Sequence, residues 1–342
     1  MKKETCKSYI KKFIILSVLS LTLFSCQSGE KQVEIQGAGA TFPYPLYSKM
    51  FNEYYNNFNV KINYQSIGSG GGIRQLKNNT VDFGATDAFM KDTELQQSEN
   101  PILHIPICLG AVSLSYNLPT VTDLQLSPTI IADIFLGKIT NWNDTRIQAI
   151  NPNQSLPDTK IVSVYRSEGS GTTYIFTDFL SKISPAWETI VGKGKSVNWP
   201  AGLGGKGNAG VAGIVQQTPG AIGYLGNIYA IQNKMKTAAV QNKSGNFIIP
   251  SIKSVSEAAN TPIPKDTRAS ITNSAATMGY PISGFTWIIV YKDQNFNSRS
   301  LVQAKETKKL LEWMIQDGQQ YVPTLHYAPL TEDVANQAQT II

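Results

Sequence analysis

One order, repeated three times, constrains this chain more than anything else in it: an apolar strand, then glycines with serine or threonine, then a helix start. Residues 33–35 read as a strand ahead of GAGATFP at 37–43, residues 60–66 alternate ahead of the glycine loop at 68–72, and residues 161–165 lead into the loop at 166–171. Helical patterns follow each. Residues 43–58 carry apolar or aromatic side chains at 46, 47, 50, 51, 54 and 55, residues 73–78 read as a short helix, and 172–180 repeat the spacing. A further strand at 81–85 ends at Thr86-Asp87, and a buried-type strand at 285–291 precedes a helix at 300–315. This grammar predicts an α/β fold with a parallel sheet and a ligand at the C-terminal strand edge. No short-period repeat is present, which sets solenoids and propellers aside.

A helix start offers unpaired N–H groups and a partial positive charge, together a site for an anion. Thr41 before Pro43 suits an N-cap. Ser69 and the Ser170-Gly171-Thr172 triplet add hydroxyl donors where glycine lets the backbone approach a ligand. Each loop taken singly is equally a capped strand-to-helix turn. The charged residues narrow the choice. Arg166 follows a strand directly and stands near Glu168, so it offers a planar fork to a tetrahedral oxyanion with its charge partly balanced. Asp87 ends a strand where an anion least wants a carboxylate, which makes sense if the ligand brings a proton to donate. Monohydrogen and dihydrogen phosphate have one and sulfate does not. The alternative for Asp87 is a helix cap ahead of Leu95.

Composition excludes more than it selects. Lysines at 2, 3, 7, 11 and 12 followed by an apolar run at 13–24 read as an export signal over 1–25, too short to span a bilayer. Leu23-Phe24-Ser25-Cys26 resembles a lipobox, making Cys26 the expected lipidated residue of a polar tether at 26–32. The alternative is an ordinary signal with an incidental cysteine. Removing 1–25 takes five lysines and Glu4 and lowers the formal net charge from +6 to +2, so basicity gives no argument for nucleic acid. Cys108 then stands alone, without a disulfide framework. The Gly194-Lys195-Ser196 run has Thr189 where a P-loop needs glycine. The glycine-rich 202–213 has no strand running into it and reads as a surface loop rather than a dinucleotide fingerprint. His104 and His326 are the only histidines and lie at no metal-ligand spacing, and His104 sits among apolar neighbours as a packing residue.

With these loops assembled, the chain resembles the phosphate-binding subunits of bacterial high-affinity phosphate ABC transporters, the PstS family, from Gly37 to about Gln337. The motifs that carry the resemblance are GAGATFP at 37–43, GSGGGIRQ at 68–75, NTVDFGATDA at 79–88, FLGKITNW at 135–142, GSGTT at 169–173, WPAGLGGKGNAGVAG at 199–213 and PGAIGY at 219–224. The resemblance implies a type II periplasmic-binding-protein fold, with one lobe at 33–109 plus 285–342, another at 110–284, and hinge crossings near 108–112 and 280–284. It implies phosphate ligands at Thr41, Phe42 (through its N–H), Ser69, Asp87, Arg166, Ser170, Gly171 and Thr172, with Glu168 as support. It further implies a monomer without metal or cofactor, not an enzyme, held at the membrane through Cys26 and serving permease subunits with a cytoplasmic ATPase. Two departures stand out: Glu168 replaces an aspartate beside the arginine, and Gly70 replaces a second serine.

Overall fold

The computed structural model describes residues 32–342; the expected signal, Cys26 and the tether up to residue 31 lie outside them. Strand β1 (Glu34–Gly39) lies between β2 (Lys61–Ser66) and β3 (Phe83–Thr86), parallel to both. Helix α1 (Tyr44–Phe58) connects β1 to β2 and buries Leu46, Tyr47, Met50, Phe51 and Tyr54, the expected face apart from the exposed Tyr55. It ends at Asn59, whose φ of 55° is the left-handed conformation asparagine tolerates at a helix C-terminus. Its N-cap is Pro43, not Thr41, whose hydroxyl is used elsewhere.

Helix α2 (Ser69–Lys77) starts four residues before the expected position, so most of the glycine loop is helix. Close packing is the reason for the glycines. A Cβ on Gly72 would stand 2.6 Å from the Ala38 carbonyl oxygen and from Gly39 Cα, so α2 rests directly on the sheet backbone.

Strand β4 (Ile102–Tyr116) is the long element of the sheet. Its first part pairs antiparallel with β12 (Ser283–Tyr291) through Ala111, and its last part pairs antiparallel with β8 (Ala221–Gly226) from Val112 onward. The order is β2-β1-β3-β12-β4-β8-β6-β7, with β6 (Val162–Arg166) parallel to β8 and to β7 (Leu203–Gly205), and β9 (Lys236–Thr237) attached to β4 off that path. The sheet is therefore mixed rather than parallel: the two strands at its centre run antiparallel. Strands β5 (Gln125–Leu126), β10 (Ala239–Gln241) and β11 (Phe247–Ile248) make a small separate sheet.

The stretch at 202–213 is not a surface loop. It is β7 followed by helix α5 (Gly207–Gln217), a fourth strand-glycine-helix unit beside the third, in which β6 leads to helix α4 (Gly171–Ile183). A three-residue strand containing two glycines has no apolar alternation to betray it. His104 packs as expected: it is buried edge-on to Trp287, accepts the Met90 N–H at 3.1 Å, and burial pushes its imidazole down to about 3, so it is neutral.

Glycines at close contacts and glycines in open helix are expected to part company on substitution. Gly72→Ala forces Cβ into backbone and should cost about 2 kcal/mol or more. Gly213→Ala, with nothing within 4 Å of the new methyl, should gain about 0.5–1 kcal/mol. Urea unfolding followed by circular dichroism reads both; a destabilised Gly213→Ala or a neutral Gly72→Ala would contradict this packing.

Candidate functional site

The segment between β1 and α1 is held from behind by three tyrosines. The hydroxyls of Tyr64, Tyr229 and Tyr327 donate to the carbonyl oxygens of Ala40, Thr41 and Phe42 at 2.8, 2.6 and 2.6 Å. With these carbonyls anchored, the Phe42 N–H has no acceptor among the described residues. The Phe42 ring is fully buried, lies edge-on to Tyr327, and sits so close to Gly110 that a Cβ there would come within 2.5 Å of it.

The start of α2 brings in Ser69, buried completely, whose Oγ accepts the N–H of Asp87 and the N–H of Gly171, both at 3.1 Å. The Asp87 and Gly171 loops meet so closely that a Cβ on Gly171 would lie 2.6 Å from Asp87 Oδ2. Gly70 has a related use: its N–H donates to the Gly169 carbonyl at 2.9 Å, and a Cβ there would be 3.2 Å from Gly169 Cα. A glycine at 70 thus lets two loops touch where a serine side chain would crowd them.

Arg166, at the C-terminal end of β6, is buried. Its Nε–H donates to Glu168 Oε1 at 2.9 Å, a second N–H goes to the same oxygen, and a third goes to Thr172 Oγ1 at 3.2 Å. A guanidinium has five N–H groups, so it retains donors beyond these three. Glu168 Oε1 also accepts the N–H of Gly207 at 3.1 Å, tying Arg166 to the start of α5. The longer side chain at 168 therefore does pair with the arginine. Ser170 caps α4 by accepting the Thr173 N–H at 3.1 Å, and the Thr172 N–H has no acceptor among the described residues.

Asp87 is 2% exposed. It does not cap a helix: helix α3 (Asp92–Gln96) is preceded by Lys91, whose N–H is taken by Glu94 Oε2 at 2.8 Å. The Asp87 carboxylate instead accepts the Thr286 hydroxyl at 2.9 Å. Burial pushes its pKa up to about 7, against the opposing pull of Thr286, Arg166 and Ser69. Burial also raises the neighbouring Cys108 thiol, with Asp87 adding to the effect, so Cys108 is an inert proton-bearing group.

All eight expected ligand positions and Glu168 belong to one connected cluster. Two further features escaped the sequence reading. The three tyrosines come from β2, from the segment after β8 and from near the C-terminus, with nothing local to mark them. Asn208, fully buried at the start of α5, donates to both Thr41 and Thr172. Its signal was the fourth strand-glycine-helix unit, hidden by the shortness of β7. Chemically the cluster brings N–H, O–H and guanidinium donors together with two carboxylates, Glu168 paired to Arg166 and Asp87 bonded to the Thr286 hydroxyl.

Comparison with known proteins agrees with this chemistry. The PBP superfamily domain matches residues 26–317. The phosphate-binding protein PstS of Xylella fastidiosa strain 9a5c is 43% identical over 314 residues, spanning 90% of this chain and 85% of its own. The phosphate-binding protein PstS of Pasteurella multocida strain Pm70 is 40% identical over 329 residues, spanning 94% of each. A solved high-affinity periplasmic phosphate-binding protein, PfluDING, with phosphate bound, superposes with a TM-score of 0.71 over 90% of this chain and 93% of its own. At 22% identity that likeness speaks for the fold, that of the periplasmic binding proteins.

The raised Asp87 pKa has a consequence for stability. Between its unfolded value of 3.8 and its folded value of about 7, the folded protein binds more protons than the unfolded chain. Stability contributed at this site therefore falls as pH rises through that window and stays low above it. In buffer free of oxyanions, Asp87→Asn should match the wild type below about pH 4 and exceed it above about pH 7, measured by urea unfolding. A difference that does not change with pH would contradict the assignment.

Proposed function

The chain belongs to the PstS phosphate-binding proteins of the PBP superfamily, and from that membership we propose that it captures inorganic phosphate outside the cytoplasm and delivers it to an ABC permease for import. The observation that carries the specificity is the buried Asp87 carboxylate, bonded to the Thr286 hydroxyl and packed against Ser69 and Gly171. Arg166, the Thr41, Ser69, Ser170 and Thr172 hydroxyls and the N–H groups of Phe42 and Thr172 stabilise the oxyanion charge, Gly171 keeps the Ser69 and Asp87 loops in close contact, and Asp87 takes the proton that sulfate lacks. Desolvation makes this discrimination steep, because a fully ionised anion leaves a carboxylate facing an oxyanion with no proton between them.

The two-lobe reading is supported by the sheet. Residues 33–109 and 285–342 supply β1, β2, β3, the first half of β4 and nearly all of β12, and residues 110–284 supply the rest. The changeover from β12 pairing to β8 pairing at Ala111 and Val112 suits a hinge, as do the first residues of β12. Contacts between the segments include Gly70 with Gly169 and the Glu94–Lys195 ion pair at 2.9 Å. Phosphate bound between them adds contacts that only the closed arrangement makes, so binding drives closure by population shift. The relatives are named as binding proteins, and we assign no reaction to this chain. Anchoring through lipid on Cys26 and a monomeric state complete the proposal, the former resting on the lipobox-like LFSC at 23–26.

Calorimetric titration of the purified protein should show one phosphate per chain, with sulfate rejected by on the order of 10⁴-fold. Asp87→Asn should weaken phosphate binding and narrow that ratio. Equal binding of the two anions by the wild type would contradict the proposal, and an unchanged ratio in Asp87→Asn would remove Asp87 from its role.

A further inference from the structure

Asn208 occupies a place in this site that the phosphate contacts do not account for. Its Nδ2 donates one N–H to Thr41 Oγ1 at 2.8 Å and reaches Thr172 Oγ1 at 3.3 Å with the other. Its backbone N–H also reaches Thr41 Oγ1, at 3.3 Å. On the far side, Asn208 Oδ1 accepts the N–H of Gly226 at 2.8 Å. That last bond fixes which end of the amide carries the hydrogens, since a flipped amide would set N–H against N–H. The residue is fully buried, so none of these bonds competes with bulk water.

A hydroxyl has one proton and two acceptor lone pairs. Thr41 Oγ1 receives two N–H groups, both from Asn208. Thr172 Oγ1 also receives two, one from Asn208 and one from Arg166. With the lone pairs occupied, each hydroxyl has only its proton left to offer. Neither donates that proton to an acceptor among the described residues.

Resting on the phosphate-binding reading, we propose that Asn208 is a positioning residue for the bound oxyanion, holding the Thr41 and Thr172 hydroxyls as obligate proton donors. An unconstrained threonine hydroxyl is ambivalent: it turns to accept from a protonated oxygen as readily as it donates to a bare one. Asn208 removes that choice on two sides of the site at once and leaves Asp87 as the acceptor for the ligand's proton. It also couples the loop after β1 to the starts of α4 and α5, so donor orientation is set only when these three segments come together.

Phosphate calorimetry on the purified protein and on Asn208→Ala, Thr41→Val, Thr41→Ser and their combinations with Asn208→Ala tests this. Asn208→Ala should weaken binding about 10- to 100-fold. Because it acts through the threonine hydroxyl, its loss combined with Thr41→Val should fall short of the product of the single losses by at least about 5-fold. Thr41→Ser, which keeps the hydroxyl, should bind within about 3-fold of wild type while Asn208 is present and lose affinity with Asn208→Ala as the wild type does. Thermal unfolding without phosphate checks that the variants fold, and Asn208→Ser replaces the alanine variant if it does not. Wild-type affinity in Asn208→Ala, or losses that multiply within about 2-fold, overturns the proposal. A wild type that ignores phosphate overturns instead the reading on which it rests.

Discussion

A carboxylate buried among hydrogen-bond donors is expensive to keep, and the arrangement around Asp87 is a response to that cost. Taking the group out of water raises its pKa to about 7 even with Arg166 and the Thr286 hydroxyl drawing it down. Arg166 is itself buried and so needs Glu168, which accepts two of its N–H groups and is fastened in turn to the start of α5. The charges form a graded series from Asp87 through Arg166 to Glu168. A ligand with negative charge and a proton completes that series: the charge faces the arginine and the proton faces the aspartate.

The backbone is organised to the same end. Each participating loop follows a strand end, so the sheet brings the three helix starts, with the Phe42 and Thr172 N–H groups and the Ser69 hydroxyl, to one region. The tyrosines behind the first loop take up its carbonyls, which would otherwise repel an anion. Buried hydroxyls receive N–H groups on their lone pairs: Ser69 from Asp87 and Gly171, Thr41 from Asn208, and Thr172 from Arg166 and Asn208. These hydroxyls are thereby left with protons to donate, and Asp87, unlike Glu168, has no cation bonded to it among the described residues.

Local signals carried most of the fold and most of the ligand set. The α1 face, the buried β12 and the strand-glycine-helix order all follow from spacing within a dozen residues, and the loops they define contain the eight expected ligands. What stayed hidden depends on distance in sequence. Tyr229 and Tyr327 meet the first loop only because the sheet folds them there. Asn208 lies in a glycine-rich run whose strand is too short to leave a periodic trace. The antiparallel centre of the sheet was equally invisible, because a chain that returns late to pair with β3 and β4 writes no pattern at the position where it pairs. Gly72 reads as loop for a simpler reason: glycine marks flexibility and close approach alike, and only the neighbouring backbone of β1 tells them apart.

Everything in this site turns on whether Asp87 meets a protonated oxygen of the bound anion. A crystal structure of the protein grown with phosphate tests it most directly. The anion is expected beside Phe42, Ser69, Arg166 and Thr172, with one Asp87 carboxylate oxygen about 2.5–2.7 Å from a phosphate oxygen, the separation of a charge-assisted O–H to O contact. An anion bound there with the Asp87 carboxylate turned away from it, or bound at another place on the chain, would contradict the claim.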